Sequence, residues 1–426
     1  MKKIAIIGFG GAGYNAARKA RRLAPDAVID VYSDTDIGPY NPMLTTYYVK
    51  GAIPYGALFP FGALETIEKE LKLNVFRNKP VTGMDAEIKT LRFTDGSKAQ
   101  YDKILISTGA SAVMPPIPGL DLPGVFKMRT AADAVALKKR LDEGSIKTGL
   151  VIGASWVGIK VIEDLVTYGV KSTLVDGAPW AFFVATFEET AKRVQKDLED
   201  KGIVVSCGQM LDHIEQEDNG QLTAVMKNGQ CFTADTVAVC IGVRMNVGFL
   251  KESGLEMNRG VLVDKHMETN VPGIYAAGDC CEAIDIQCGK HRNIGVWFNA
   301  NEQGTVAGAN MAGIPMEFDA NVLVNLAHYL DYDFISIGDV SFCKPEDEVY
   351  EYEDAQYYIR GVKAKDGALK CINVINSADS NGILKNLFIK SFENKDAGLD
   401  LKSVCYLKWK GFPDSFIDFL GGKTVD

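Results

Sequence analysis

Two glycine-rich turns constrain this chain more than any other feature of it. The first, GFGGAG from Gly8 to Gly13, opens out of the apolar run Ile4-Ala5-Ile6-Ile7. The second, GASWVG from Gly153 to Gly158, opens out of Gly149-Leu150-Val151-Ile152. Each leaves a predicted buried strand and enters a predicted helix, the setting in which such a turn binds a dinucleotide. A glycine permits the tight turn, a second lets backbone amides approach a pyrophosphate, and the helix presents its unpaired N–H groups to negative charge. The candidate contacts are Gly8, Gly10, Gly11, Ala12 and Gly13 in the first loop, and Gly153, Ser155 and Gly158 in the second. Ser155 stands where the middle glycine is usual.

Each loop also has an acid after its next strand, placed to hold ribose hydroxyls. Asp34 follows Val28-Ile29-Asp30-Val31-Tyr32, and Asp176 ends Ser172-Thr173-Leu174-Val175. An acid there repels a 2′-phosphate, so the second loop is expected to take NADH over NADPH. Two loops in one chain imply two dinucleotides held face to face, with electrons passing between them.

With 426 residues the chain has room for two to three domains of about 150 residues each. Its 47% apolar and 24% charged residues describe an ordinary globular protein. A net charge of −9 argues against nucleic acid as a partner. The Met1-Lys2-Lys3 start runs straight into the first glycine loop and reads as a strand, not a leader. No apolar run reaches membrane-spanning length, so no membrane role is expected. The nine cysteines include no CxxC, which indicates neither a metal site nor a disulfide framework and suggests a reducing cytoplasm.

Three further strands end in small turns. Tyr101 to Ile106 leads to Ser107, Thr108 and Gly109; Thr236 to Ile241 stops at Gly242; Gly273 to Ala277 stops at Gly278 and Asp279. Pro115, Pro116, Pro118 and Pro123 punctuate a non-helical connection, and a helix is predicted from about Ala131 to Leu141. Beyond 316 the pattern changes. Asn321 to Ile337 mixes alternating and apolar stretches, and strand-like runs are predicted at Tyr357–Val362, Leu369–Ile375 and Leu384–Lys390. The tail Val404–Lys410 precedes a helix-like Asp414–Leu420 in this α+β segment.

GFGGAG, YDKILISTGA, PPIPGLDLPGVFKMRTAADA, GASWVGIK, TNVPGIYAAGDC and NEQGTVAGANMAG occur in order from residue 1 to about 315. Together they resemble the FAD-dependent pyridine nucleotide-disulfide oxidoreductase superfamily, nearest in pattern to its ferredoxin, rubredoxin and nitrite reductase-like branch. The resemblance implies an α/β fold with two Rossmann-like dinucleotide-binding domains and a C-terminal α+β domain. It divides the chain into an FAD-binding domain at 1–115 and 246–315, an inserted NAD(P)H-binding domain at 116–245, and an interface segment at 316–426. The last is expected, by position, to form a homodimer. The first loop, Asp34, Thr108, Gly109, Gly278 and Asp279 would bind FAD. Gly153, Ser155, Gly158 and Asp176 would bind NADH, and Gly242 is a further cofactor-binding candidate. Trp297 would lie where relatives place residues against the isoalloxazine.

The departures from the pattern concern where electrons leave. Relatives with a thiol relay carry one or two cysteines after the first acid; this chain has Tyr40-Asn41-Pro42-Met43-Leu44-Thr45-Thr46-Tyr47-Tyr48 and no cysteine before Cys207. Thr46 replaces a lysine of the ferredoxin reductase branch. Lys160 stands where the family usually has a glutamate facing flavin and nicotinamide, so a cation transferred from 46 to 160 is expected to act on the flavin or an anionic acceptor. The opposing reading makes Lys160 a solvated helix lysine. Cys280-Cys281 reads as a pair of buried small residues in preference to a redox couple. The Arg18/Lys19/Arg21/Arg22 cluster reads as a solvated face before it reads as a docking patch. The expected activity is FAD-dependent NADH oxidation with electrons passed to a small iron–sulfur or rubredoxin-like carrier or a partner subunit. The alternatives are direct action on a small, anionic organic substrate, and an FAD/NADH-binding regulatory protein with little turnover.

Overall fold

The computed structural model describes residues 2–422. The chain divides into two compact units. One is built from the chain up to Val113, Arg129–Val135 and Val243–Asn321; the other from Met114–Met128, Ala136–Gly242 and the chain from Val322 onward. The C-terminal segment thus clusters with the second-loop segment, where the motif order had suggested a separate domain.

In the first unit five parallel strands lie in the order Ile274–Ala276, Lys103–Ile106, Lys3–Ile7, Val28–Tyr32, Asn74–Phe76. Ile4, Ile6, Ile29, Val31, Ile104 and Leu105 are fully or almost fully buried. A parallel sheet covered on both faces requires such near-continuous apolar strands. Helix Gly11–Leu23 packs against helix Trp297–Ala312 so closely that a methyl on Gly304 would lie 2.2 Å from the Ala12 carbonyl oxygen, and one on Gly308 2.4 Å from that of Ala16. The small residues of NEQGTVAGANMAG are therefore a packing seam.

The second unit repeats the arrangement. Val204–Cys207, Lys171–Asp176, Thr148–Ile152, Thr236–Val239 and Val125–Lys127 form a parallel sheet with the second loop's strand at its centre. The same unit holds an antiparallel sheet in the order Val324–Tyr329, Tyr332–Ile337, Leu369–Ile375, Tyr358–Lys363, Glu348–Glu353. Leu384–Lys390, expected as a strand, belongs to helix Asn381–Glu393. Its buried residues Leu384, Leu387 and Phe388 recur at three and four, the spacing of one helix face. The tail 404–410 lies largely within helix Leu401–Trp409.

Candidate functional site

The first glycine loop combines tight packing with one open position. Gly8 adopts φ +90°, and a side chain there would meet the Ser107 carbonyl oxygen at 2.4 Å. A methyl on Gly13 would lie 2.3 Å from the Gly8 carbonyl oxygen. Between them Gly10 caps the helix without any side-chain hydrogen bond, and nothing lies within 4 Å of where its side chain would be. A helix N-terminus with uncapped amides beside open space is what a pyrophosphate needs. At Gly11 a side chain would strike Asn301 and the Trp297 ring at 2.5 and 2.7 Å. Trp297 thus covers the start of the first-loop helix, stacking also on Phe61 at 5.9 Å.

The other expected flavin contacts converge on the same sheet end. Thr108 donates to the Asn246 carbonyl at 2.8 Å, the Asn246 side-chain amide donates to the Thr108 carbonyl at 3.0 Å, and Gly109 takes φ +65°. Gly278, at φ +83°, donates its N–H to the Gln303 side chain at 2.8 Å. The Asp279 carboxylate accepts from the Arg129 guanidinium at 2.5 Å, and Arg129 also donates to the Ala110 carbonyl at 3.0 Å. Asp34 is exposed just past strand Val28–Tyr32. Asn246, Gln303 and Arg129 were not singled out from the sequence. Arg129 and Gln303 lie inside quoted motifs, but nothing local distinguishes them from surface residues.

The second loop is built differently at its middle position. Gly153 takes φ +109°, and a side chain there would meet the Cys240 carbonyl oxygen at 2.4 Å; one on Gly158 would lie 1.8 Å from the Gly153 carbonyl oxygen. Ser155 caps the helix itself. Its hydroxyl accepts from the Gly158 N–H at 3.2 Å and donates to the Cys240 carbonyl at 3.0 Å. The Asp176 carboxylate accepts from the N–H groups of Ala154 at 2.5 Å and Ala178 at 2.6 Å, which ties the acid to the loop it serves. Gly242, at φ +119°, leaves open space beyond its strand. Phe182 donates to the Ala154 carbonyl at 3.0 Å from a left-handed φ of +56°. The Ala185 carbonyl then accepts from Ser336 and Asn373 of the C-terminal sheet at 2.5 and 3.0 Å.

The two residues expected to act on the electrons are differently placed. Thr46 is buried in the short helix Thr45–Val49. Lys160 is not solvated. It is 8% exposed, paired with Glu163 one helical turn on, and its ammonium donates to the His328 carbonyl at 2.8 Å. This corrects the opposing reading of a solvated helix lysine, since the ammonium is buried and paired inside its own unit. Cys280 and Cys281 are buried free thiols, each donating to backbone carbonyls, and burial pushes both up from the ordinary thiol range. In the basic cluster, Arg21 spends its guanidinium on the carbonyls of Leu71, Lys72, Pro25 and Ala27. Among the described residues no group of His, Cys, Asp or Glu could hold a metal, and no helix is long and apolar enough to cross a membrane.

Two glycine-loop cradles on two parallel sheets, one open at its helix N-terminus and one with an acid closed onto it, define an oxidoreductase that handles two dinucleotides. The chain belongs to the pyridine nucleotide-disulphide oxidoreductase family, whose model matches residues 2–304. It is an FAD-dependent NADH oxidoreductase. It is 31% identical over 318 residues to an NADH oxidase of Methanocaldococcus jannaschii, covering 74% of this chain and 70% of that one. It is 28% identical over 397 residues to the NADH-dependent phenylglyoxylate dehydrogenase subunit epsilon of Aromatoleum evansii, covering 91% of each. In fold it is similar to the water-forming NADH oxidase from Lactobacillus brevis, with a TM-score of 0.83 and 22% identity over 93% of this chain and 91% of that one.

Proposed function

We propose that the chain passes electrons from NADH through FAD to a redox protein that it binds as a partner subunit. The observation that carries this reading is the segment after the first acid. Tyr40–Tyr48 holds tyrosines, threonines and Met43 where a thiol relay would need cysteine, and the first cysteine of the chain is Cys207. The buried thiols at 280 and 281 offer no substitute, since the thiolate is the reactive form and burial opposes it. Support also comes from the extent of likeness. The match to the epsilon subunit covers 91% of this chain and so runs well past Asn321, whereas the match to the archaeal oxidase covers 74%.

In this reading the amides of Gly10, Gly11, Ala12 and Gly13 hold the FAD pyrophosphate, and Asp34 the ribose. Thr108, Gly109, Gly278 and Asp279 line the flavin's side of the cradle, with Arg129 fixing the Asp279 carboxylate. Gly153, Ser155, Gly158, Asp176 and Gly242 receive NADH. FAD, once bound, supplies a two-electron acceptor for the nicotinamide's hydride. Because the Ser155 hydroxyl already satisfies one helix N–H, the second loop is expected to grip its pyrophosphate less firmly than the first, as suits a nucleotide that must exchange.

The test is anaerobic titration of the FAD-loaded protein with NADH, followed by reoxidation with oxygen, a low-molecular-weight disulfide or an oxidised iron–sulfur protein. Fast reoxidation by the iron–sulfur protein alone supports the reading. Multiple turnovers on the disulfide would refute it.

A further inference from the structure

The stretch from Gly51 to Ala63 contains no charged side chain, and from Tyr40 to Ala63 the single charged residue is Lys50. In a chain that is 24% charged, such a stretch would ordinarily be buried. It is largely exposed instead: Met43 is 53% and Tyr55 40% accessible, and Gly51, Ala52, Pro54, Gly56, Ala57 and Pro60 are exposed too. Aromatic rings run through it. Tyr48 meets Tyr55 at 5.5 Å, Tyr55 meets Phe59 at 5.4 Å, and Phe59 meets Tyr40 at 6.1 Å. Two residues further on, Phe61 stacks on Tyr14 at 4.1 Å and on Trp297 at 5.9 Å, and Trp297 closes over Gly11 of the first loop. One surface therefore joins solvent to the wall of the FAD cradle.

We infer that the charge-poor aromatic surface centred on Tyr55 seats a permanently bound, iron-bearing redox subunit. This rests on the reading that electrons leave to a protein, and it adds where that protein sits and how it is held. Exposed methionine and aromatic residues with charge depleted are the composition of an interface core. The lack of charged side chains from Gly51 to Ala63 favours a resident subunit over a passing carrier. Diffusing carriers are steered by complementary charge, whereas obligate interfaces are apolar. The transfer balances: NADH becomes NAD+, two oxidised iron centres each gain one electron, and one proton goes to solvent.

The experiment uses the full chain, tagged and expressed in its own host, purified through about 1 M NaCl, where charge steering is screened to roughly 3 Å. Iron per FAD, FAD per chain and NADH-driven reduction of a small dye are measured for the wild type, Ala57→Asp and Tyr55→Asp, both at exposed positions of the charge-free stretch. We expect the wild type to keep a constant iron-to-FAD ratio through the salt wash. In the variants that ratio falls by about tenfold or more, with FAD content and dye reduction unchanged. Iron retained by the variants, or iron lost from the wild type in salt, overturns the proposal. So does sedimentation showing a dimer of this chain that Tyr55→Asp dissociates. Failure of NADH to reduce the dye at all would instead bring down the underlying flavoprotein reading, a result recognisable before any iron is counted.

Discussion

At Gly10 and Gly13 the same substitution should have opposite consequences. A methyl at Gly13 would lie 2.3 Å from a backbone oxygen, so Gly13→Ala must shift either the loop or the helix. Overpacking of that kind costs about 1–3 kcal/mol, visible as a lower urea midpoint in the apoprotein. Gly10 sits at φ −82° with nothing within 4 Å, so Gly10→Ala should leave the apoprotein's midpoint unchanged or raise it, by under about 1 kcal/mol. It should nonetheless empty the flavin site, read as FAD absorbance per chain, because the methyl takes the pyrophosphate's place. Retention of FAD by Gly10→Ala would mean that the open position is not the cradle. Asp279 makes a second test. Its pair with Arg129 is partly solvated, with side chains 17% and 25% exposed, so Asp279→Ala should cost only about 1–2 kcal/mol of stability. The larger effect belongs in FAD affinity, since the unpaired guanidinium is then free to turn away.

Helix Trp156–Thr167 shows how much of an element its sequence discloses. Lys160 and Glu163 stand three apart, a spacing that announces an ion pair, and the helix start was plain from Ser155 and Gly158. What the sequence could not disclose is that the pair is buried, because the partner carbonyl of His328 lies in a strand far along the chain. Lys160→Met should therefore act on stability, leaving the Glu163 carboxylate without its cation at a cost of about 3–5 kcal/mol by urea unfolding. Lys160→Met with Glu163→Leu should regain most of that loss. The rate of flavin reduction by NADH in the folded fraction should match the wild type in both; a fall in that rate with normal stability would support a redox role for Lys160. The same limit explains the other misreading. In Leu384–Lys390 a short apolar run satisfies both strand and helix periods, and only the surface it packs against decides between them. Glycine positions escape the limit, since the demands at Gly8 and Gly153 come from the backbone turn itself. Arg129, Asn246 and Gln303 do not escape it: each acts on a residue brought near by the fold.

For the whole molecule, the cysteines give an inventory that can be checked at once. All nine are free; Cys231 and Cys405 are exposed, while Cys240, Cys280, Cys281 and Cys371 are buried. Native protein should titrate quickly with Ellman's reagent at the exposed pair and slowly at the buried four, which should react fully only on unfolding. Blocking the exposed thiols should leave NADH oxidation by an iron–sulfur acceptor intact. Burial pushes Cys240 up to about 12 from an ordinary 9.0, so the folded chain keeps a proton that the unfolded chain gives up. The sign follows: this contribution is complete below pH 9 and is lost as pH climbs from about 9 toward 12. A urea midpoint that held constant or rose across that window would contradict the burial of Cys240.

The packing seam between helices Gly11–Leu23 and Trp297–Ala312 also imposes a timetable on biosynthesis. The first loop leaves the ribosome well before Asn246, Asp279, Trp297 and Gly304, which the proposed cradle needs before it has walls. The second loop's parallel sheet is complete once Thr236–Val239 has emerged. The second-loop sheet can thus assemble while the first loop still waits for Trp297–Ala312, so in the proposed reading flavin is captured only after that helix has emerged.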